Sequence, residues 1–251
     1  MKKGSEEMDQ ERFYSSIANY YEHIFPLNKQ QVEFVLSEFD SLEELYFLDA
    51  GCSTGQLANE LCQLGALGIG IDLNSDMISR AASLFPSPSL SFRKMNMLQL
   101  AKTLPEHYFD AVICFGNTIV HLDNITQVKD FFKQAATVLK PGGKLLLQLL
   151  NYDYILDRQL TELPLIDNEH IRFVREYVLP KGNHKVEFKT RLTLKETGET
   201  LENSTLLLPV RKNELEKLLI LAGFSNLHFY ANFAKAPAGG DHLPLVVTGE
   251  Y

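Results

Sequence analysis

The chain has 251 residues, a formal net charge of −8 and 45% hydrophobic residues. This balance is typical of a globular protein that forms one large domain, or one domain with an insertion. The acidic charge without a basic stripe disfavours a nucleic-acid-binding surface. No apolar run approaches the ~20 residues of a membrane span, and the polar first residues lack the apolar core of a secretion signal.

The three cysteines are Cys52, Cys62 and Cys114. Their number is odd and their spacing is not that of metal ligands. We therefore expect free thiols, no metal site and a reducing, cytoplasmic location.

The first part of the chain predicts two helices before any strand. Residues 1–8 are polar and are expected to form a disordered tail. Residues 9–25 carry apolar side chains at helical spacing and end at Pro26, and a second helix is predicted over 29–39. The apolar run that follows predicts the first strand, over 45–49.

A glycine-containing turn follows this strand and leads into a helical pattern over 54–64. A strand, a glycine turn and a helix in this order predict a nucleotide-binding loop. Gly51 lacks a Cβ, so a ligand can approach the backbone there. The start of the helix supplies unpaired N–H groups.

An acidic residue ends the next predicted strand, over 67–72. Asp72 lies about twenty residues beyond the glycine turn, the spacing at which a carboxylate meets ribose hydroxyls. The two features together strengthen the nucleotide-binding prediction. A helix is then predicted from its N-cap Ser75 to Phe85.

Strands and helices continue to alternate up to Asn151. A helix is predicted at 123–139, followed by a tight turn at Lys140-Pro141-Gly142-Gly143. The further strands are at 90–95, 108–115 and 144–150. This alternation predicts an α/β fold with a doubly wound parallel sheet and a ligand beyond the carboxyl ends of its strands.

The pattern changes after Asn151. Short polar turns then join three predicted strands, at 171–179, 184–194 and 202–210. Hairpin spacing predicts an antiparallel sheet, which we assign to a lid subdomain inserted over 151–210. The ligand-binding domain is then formed by 9–150 and 211–251. Its last helix and strands are predicted at 212–222, 226–232 and 244–250.

Five motifs are similar to those of a known family. They are Leu48-Asp49-Ala50-Gly51-Cys52-Ser53-Thr54-Gly55, Gly70-Ile71-Asp72, Asn96-Met97, Phe109-Asp110-Ala111-Val112-Ile113 and Leu139-Lys140-Pro141-Gly142-Gly143. With them the chain resembles the class I S-adenosylmethionine (SAM)-dependent methyltransferases over residues 10–251. The resemblance implies a Rossmann-like, seven-stranded, mostly parallel sheet whose last strand is antiparallel. It also implies SAM as the cofactor and S-adenosyl-L-homocysteine (SAH) as the product.

Three further stretches are similar to glycine and glycine/sarcosine N-methyltransferases. They are 114–122, 151–156 and 208–212. This resemblance implies in-line transfer of a methyl group to a small-molecule acceptor, for which an amine is one option. An O-methyltransferase of a metabolite and a non-catalytic SAM-binding module remain open. We expect a monomer or homodimer with no nucleic-acid or membrane partner.

The resemblance also implies cofactor contacts. Asp72 is expected to accept hydrogen bonds from both ribose hydroxyls, and Asn96 with Met97 to hold the adenine. The full set is Tyr14, Asp49, Gly51, Ser53, Asp72, Leu73, Asn96, Met97, Cys114 and Phe115. Two positions depart from the family pattern, because Ser53 stands where a glycine is usual and Asn96 where an acid is usual.

Three residues are predicted to serve the transfer step. Asn117 is expected to contact the acceptor, Tyr21 to position it, and His121 to act as an acid or base. Tyr21 lies seven positions after Tyr14, so the two share a face of a helix that can close over the cofactor. The lid arginines are candidates for binding an acceptor carboxylate; they are Arg172, Arg175, Arg191 and Arg211.

Overall fold

The computed structural model describes residues 11–180 and 185–251. The predicted tail at 1–8 therefore lies outside the described residues. The strands of these residues form a seven-stranded sheet and a four-stranded sheet. Among them, no helix is both long and apolar enough to cross a bilayer.

The seven-stranded sheet is mostly parallel, as the sequence predicts. Its strands are β1 Tyr46–Ala50, β2 Leu67–Asp72, β3 Leu90–Lys94, β4 Phe109–Cys114, β5 Leu139–Leu150, β10 Ser225–Tyr230 and β11 Pro244–Glu250. Their order is β10-β11-β5-β4-β1-β2-β3. Only β11 runs against the others, because it pairs antiparallel with both β5 and β10. This arrangement confirms the doubly wound, Rossmann-like prediction.

A helix over 11–17 comes first in the described residues, and numbered helices then precede β1 or connect the strands. They are α1 Tyr21–Ile24, α2 Lys29–Leu36, α3 Gln56–Gln63, α4 Ser75–Leu84, α5 Leu100–Thr103, α6 Ile125–Val138, α7 Tyr152–Asp157 and α8 Lys212–Leu221. Short 3-10 turns occur at Ala18–Tyr20, Met97–Gln99 and Thr118–His121.

Both faces of the central strands are buried. Leu48 of β1 and Val112 of β4 belong to one apolar cluster, whereas Phe47 and Ala111 belong to a second cluster on the other face. Successive side chains of a strand point to opposite faces, so a strand covered on both sides reads as a continuous apolar run. This explains why the parallel strands could be predicted from short apolar runs alone.

The four-stranded sheet lies after β5 and is antiparallel, as predicted for the insertion. It consists of β6 Ile166–Asp167, β7 Ile171–Val178, β8 Val186–Leu194 and β9 Thr200–Leu207, in this order. We call it the inserted sheet. The sequence predicts only three of its strands, because β6 has two residues and so no readable alternation.

Residues 11–27 connect the two sheets, and we call them the N-terminal strap. The prediction of one helix over 9–25 is wrong in detail, since a helix over 11–17 gives way to a 3-10 turn and then to α1. Apolar strap residues such as Phe13 and Ile17 pack in one cluster with Phe173 of the inserted sheet and Met77 of α4.

Two further local predictions are corrected. The segment 140–143 is not a separate turn before a strand, because β5 already begins at Leu139 and the turn forms an irregularity in its pairing with β4. Gly142 allows this with a φ of 78°. Helix α7, directly after β5, is not predicted by the sequence reading.

Candidate functional site

A cavity of about 650 Å³ lies at the carboxyl ends of the parallel strands. Its wall combines strand-end residues with residues of the strap and of the inserted sheet. Ten of the thirteen predicted site residues line it: Tyr14, Tyr21, Gly51, Ser53, Asp72, Leu73, Asn96, Met97, Phe115 and His121. Ligands of open α/β sheets bind at this edge, so the position of the cavity follows from the fold.

The glycine turn after β1 is held against β2. The N–H groups of Gly51 and Cys52 both donate to the carbonyl oxygen of Ile71, at 2.8 and 2.9 Å. Gly51 has a φ of 83°, and a Cβ built on it would lie 2.4 Å from Cγ2 of Thr118. Only glycine fits this position without strain or a clash.

Ser53 makes the left-handed turn that a glycine would otherwise make. Its φ is 51°, so the residue adopts this conformation with a Cβ present. Its backbone N–H donates to Oδ2 of Asp72, at 3.0 Å. A hydrogen bond from Ser53 also lowers the pKa of Tyr21, although burial dominates and raises that pKa to about 12. Tyr21 is therefore a neutral hydroxyl at the cavity wall.

Asp72 ends β2 and lines the cavity. Its Oδ2 accepts from Ser53, and its Oδ1 accepts from the backbone N–H of Asn74 at 2.9 Å. Burial raises the pKa of this carboxyl group, and the backbone donors partly offset the effect. Each oxygen keeps a further acceptor position.

The N-cap of helix α4 is not the predicted residue, Ser75. Its N-cap is Asn74, whose Oδ1 accepts from the N–H groups of Asp76 and Met77, and not Ser75. Asn74 also lines the cavity. The sequence contains two adjacent residues suited to capping, Asn74 and Ser75, and the pattern alone does not choose between them.

The residues after β3 form another part of the wall. Asn96 caps the 3-10 turn that follows it, with Oδ1 accepting from the N–H of Leu98 at 2.9 Å. Its carbonyl oxygen retains a second lone pair. Met97 and Leu98 line the cavity beside it and give this part an apolar character.

Asp49 and Cys114 do not line the cavity. Both are buried, with Asp49 only 4% exposed. Burial, and then the charge of nearby Asp72, raises the pKa of Asp49 to about 7. Burial likewise raises the pKa of the Cys114 thiol. Both side chains therefore lie behind the cavity wall.

Asn117 also lies outside the lining. Its Oδ1 accepts from the N–H of Leu150 at 2.9 Å, and its own N–H donates to the carbonyl oxygen of Gln148. Its Nδ2 faces the hydroxyl of Tyr152 at 3.4 Å. These bonds fix the loop after β4 to β5, and the contact of Asn117 with the acceptor stays a prediction.

Tyr14 and His121 meet at the cavity wall. The Tyr14 hydroxyl lies 2.9 Å from Nε2 of His121. Burial, followed by the charge of Lys185, lowers the pKa of His121 to about 4, so the imidazole is neutral at pH 7. Its Nδ1 atom is buried and has no hydrogen-bond partner within 11–180 and 185–251.

The inserted sheet supplies polar lining that the sequence reading misses. None of the four lid arginines lines the cavity, and Arg191 and Arg211 instead pair with carboxylates elsewhere. The lining residues are Lys185, Glu187, Ser204, Thr205 and Leu206. Period-two alternation defines the two faces of such a strand but not which face meets the cavity.

Comparison with known proteins identifies the class. A family model described as "Methyltransferase domain" matches residues 47–143. A ubiquinone biosynthesis O-methyltransferase of Xanthomonas euvesicatoria pv. vesicatoria (strain 85-10) is 30% identical over 182 residues, which are 72% of this chain and 70% of the relative. The enzyme of the same name from Hydrogenovibrio crunogenus is 31% identical over 130 residues, about half of each chain (51% and 52%).

Solved structures agree on the fold. A SAM-dependent methyltransferase from Clostridium acetobutylicum ATCC 824 superimposes with a TM-score of 0.78 and 18% identity, covering 94% of this chain and 98% of that one. The chain belongs to the class I SAM-dependent methyltransferases. It is therefore an enzyme that uses SAM as its methyl donor.

Proposed function

We propose that this methyltransferase transfers the methyl group to a hydroxyl oxygen of a small-molecule acceptor. The observation that carries the proposal is the Tyr14–His121 pair at the cavity wall, with 2.9 Å between the hydroxyl and Nε2. A hydroxyl must lose its proton when it is methylated, and this pair can accept one. The relatives' printed name, O-methyltransferase, supports the same acceptor atom.

The residues at the strand ends suit the cofactor. The carboxylate of Asp72 offers two oxygens to a ribose diol, and charged acceptors make strong hydrogen bonds. Asn96 offers an amide oxygen to the adenine amino group, beside the apolar side chains of Met97 and Leu98. Gly51, Ser53, Leu73 and Phe115 complete the proposed cofactor side.

The neutral imidazole makes the proton path possible. Because the pKa of His121 is about 4, the imidazole is neutral at pH 7, and Nε2 can accept the proton of the Tyr14 hydroxyl when the ring proton is on Nδ1. The oxygen of Tyr14 then keeps a lone pair for the hydroxyl of an acceptor in the cavity. The 2.9 Å contact fits either tautomer of His121, and we assign the one in which Nε2 accepts.

SAM supplies an electrophilic methyl group, so the protein has to align the acceptor and remove one proton. As the acceptor oxygen gains its bond to the methyl carbon, the sulfur–methyl bond breaks and SAH is the leaving group, while the acceptor proton passes to the oxygen of Tyr14. The proton of Tyr14 passes at the same time to Nε2 of His121. An oxygen that carries both a methyl group and a proton is a far stronger acid than an imidazolium with a pKa of about 4. The transfer is therefore downhill late in the reaction.

An amine acceptor is the second candidate, and the charge of the cavity favours it. Four carboxylates and two lysines line the wall: Glu11, Asp72, Asp123, Glu187, Lys102 and Lys185. A net negative wall attracts a protonated amine. That amine would have to lose a proton before it attacks. The methyl-transfer step itself would then depend less on the Tyr14–His121 pair.

A panel of acceptors with radiolabelled SAM tests the proposal. It pairs phenols and alcohols with amines of the same shape, and includes glycine, sarcosine and carboxylic acids. We expect label transfer to hydroxyl compounds. Transfer restricted to amines would favour the second candidate, and no transfer to any small acceptor would contradict both.

A further inference from the structure

Asn74 connects the cofactor side of the cavity to the strap. We propose that Asn74 is a positioning residue that holds the N-terminal strap beside Asp72. It thereby limits the rate at which the cofactor dissociates. The proposal rests on the proposed role of Asp72 in holding the ribose, and it does not depend on which acceptor is methylated.

Asn74 joins its own helix to Asp72. Asn74 is buried, with 3% of its surface exposed. Its backbone N–H donates to Oδ1 of Asp72 at 2.9 Å, and its side-chain oxygen caps α4 through Asp76 and Met77. The backbone N–H and the amide oxygen of Asn74 therefore bond Asp72 and the first turn of α4.

The amide nitrogen of Asn74 bonds the strap. Nδ2 donates to the carbonyl oxygen of Glu11 and to Oγ of Ser15, both at 3.0 Å. Glu11 and Ser15 belong to the strap. Both donors of one buried amide therefore reach across to the strap, while its acceptor stays on α4. A buried amide whose donors lose their partners is unfavourable, so the arrangement holds the strap in this position.

Other strap contacts are more exposed or more distant from this point. Glu11 pairs with Lys94 at 3.1 Å, but their side chains are 43% and 51% exposed. Such exposed pairs contribute little. The bidentate Glu22–Arg80 pair, with Nη2–Oε2 at 2.6 Å, holds the strap at α1 and acts as a second attachment. Asn74 is a buried strap attachment that itself bonds Asp72.

The strap position also decides the shape of the cavity. Tyr14 and Tyr21 are strap residues and line the cavity together with residues of the strand ends. A cofactor held by Asp72 is therefore covered by the segment that Asn74 latches. Freeing this segment opens a path from the cavity to solvent, so the latch is expected to control dissociation.

Two variants separate latching from capping. Asn74→Ser and Asn74→Asp both keep an oxygen that caps α4, since serine and aspartate are favoured N-caps. Both lose the two donors to the strap, and the serine variant does so without adding a charge near Asp72. Asn28→Asp is the matched control, because Asn28 is an exposed N-cap of α2 whose side chain accepts from Gln30.

The experiment measures SAH dissociation and hydrogen–deuterium exchange in the full-length enzyme. We expect both Asn74 variants to release SAH about tenfold faster, which corresponds to the loss of one or two hydrogen bonds. Hydrogen–deuterium exchange should rise in 11–25 but not in α4, and the KM for SAM should rise. The Asn28→Asp control should behave as wild type.

Two results would contradict the proposal that Asn74 holds the strap. Exchange that rises in α4 as much as in the strap would show that Asn74 is only a helix cap. Wild-type SAH release with unchanged exchange in 11–25 would show that the strap is not held by this residue. SAH binding needs no acceptor, so a failed acceptor panel leaves this test intact.

Discussion

The hydroxyl of Tyr14 and Nε2 of His121 lie 2.9 Å apart although the residues are 107 positions apart in the chain. Their rings meet edge to face, with 5.5 Å between the centroids. Tyr14 belongs to the strap and His121 to the turn after β4. The pair therefore exists only when the strap covers the cavity, which links closure to the proposed proton transfer.

Removing the Tyr14 hydroxyl tests this pair. Tyr14→Phe keeps the ring that packs edge-on against Phe13 at 4.8 Å. We expect kcat with a hydroxyl acceptor to fall about 10- to 100-fold, because a proton acceptor is lost. The KM for SAM should change little. Steady-state kinetics measure both, with Tyr20→Phe as control, since Tyr20 is a strap tyrosine that does not line the cavity. Equal losses in the two variants would contradict the role.

Asp72 is expected to dominate cofactor affinity among the strand-end residues. Asp72→Ala should weaken SAH binding at least about tenfold, because a charge-assisted hydrogen bond to a diol contributes roughly 1.5–3 kcal/mol. Titration calorimetry gives the Kd directly. Asp76→Asn, at an exposed position of the first turn of α4, should bind SAH like wild type. Unchanged affinity of Asp72→Ala would remove Asp72 from the site.

Alanine substitutions at Gly51 and Gly142 separate the cost of backbone strain from the cost of a clash. Their φ values are 83° and 78°, but a Cβ on Gly51 would meet Thr118 at 2.4 Å whereas Gly142 has nothing within 4 Å. Gly142→Ala should lower the free energy of unfolding by about 1 kcal/mol through backbone strain alone. Gly51→Ala adds the clash and should lower it by about 2–4 kcal/mol. Urea unfolding measures both. Equal losses would mean that the contact with Thr118 does not matter.

The raised pKa of Asp49 predicts that the free energy of unfolding depends on pH. Its folded pKa of about 7 lies above the unfolded value of about 4. The folded state therefore binds more protons between these values, and this carboxyl group lowers the free energy of unfolding as pH rises from about 4 to 7. Asp49→Asn removes the effect. The variant should gain stability relative to wild type between pH 4.5 and pH 8 in urea unfolding. A difference that is the same at both pH values would contradict the buried, raised pKa.

Much of the fold could be predicted because its signals are local. Buried parallel strands are continuous apolar runs, and the inserted hairpins alternate with short turns between them. β6 has two residues, and the 140–143 segment contains turn residues that pair within a strand. Both depend on neighbours that are distant in sequence, so propensity alone misreads them.

Some residues of the candidate site could be predicted from the sequence, and others could not. Asp72 and Gly51 lie at strand ends, whose common edge follows from topology, and they could be predicted. Asn117 was expected at the acceptor but bonds to the backbone of Leu150. Lys185 lines the cavity through the packing of the inserted sheet, which no local pattern encodes.

One measurement tests the proposed acceptor most directly. An aminophenol presents a hydroxyl and an amine in the same small molecule, so binding differences between separate compounds do not enter. Mass spectrometry and NMR of the product formed with SAM identify the methylated atom. We expect the methoxy product, with its formation slowed in Tyr14→Phe. An N-methyl product formed at the wild-type rate by Tyr14→Phe would contradict this expectation.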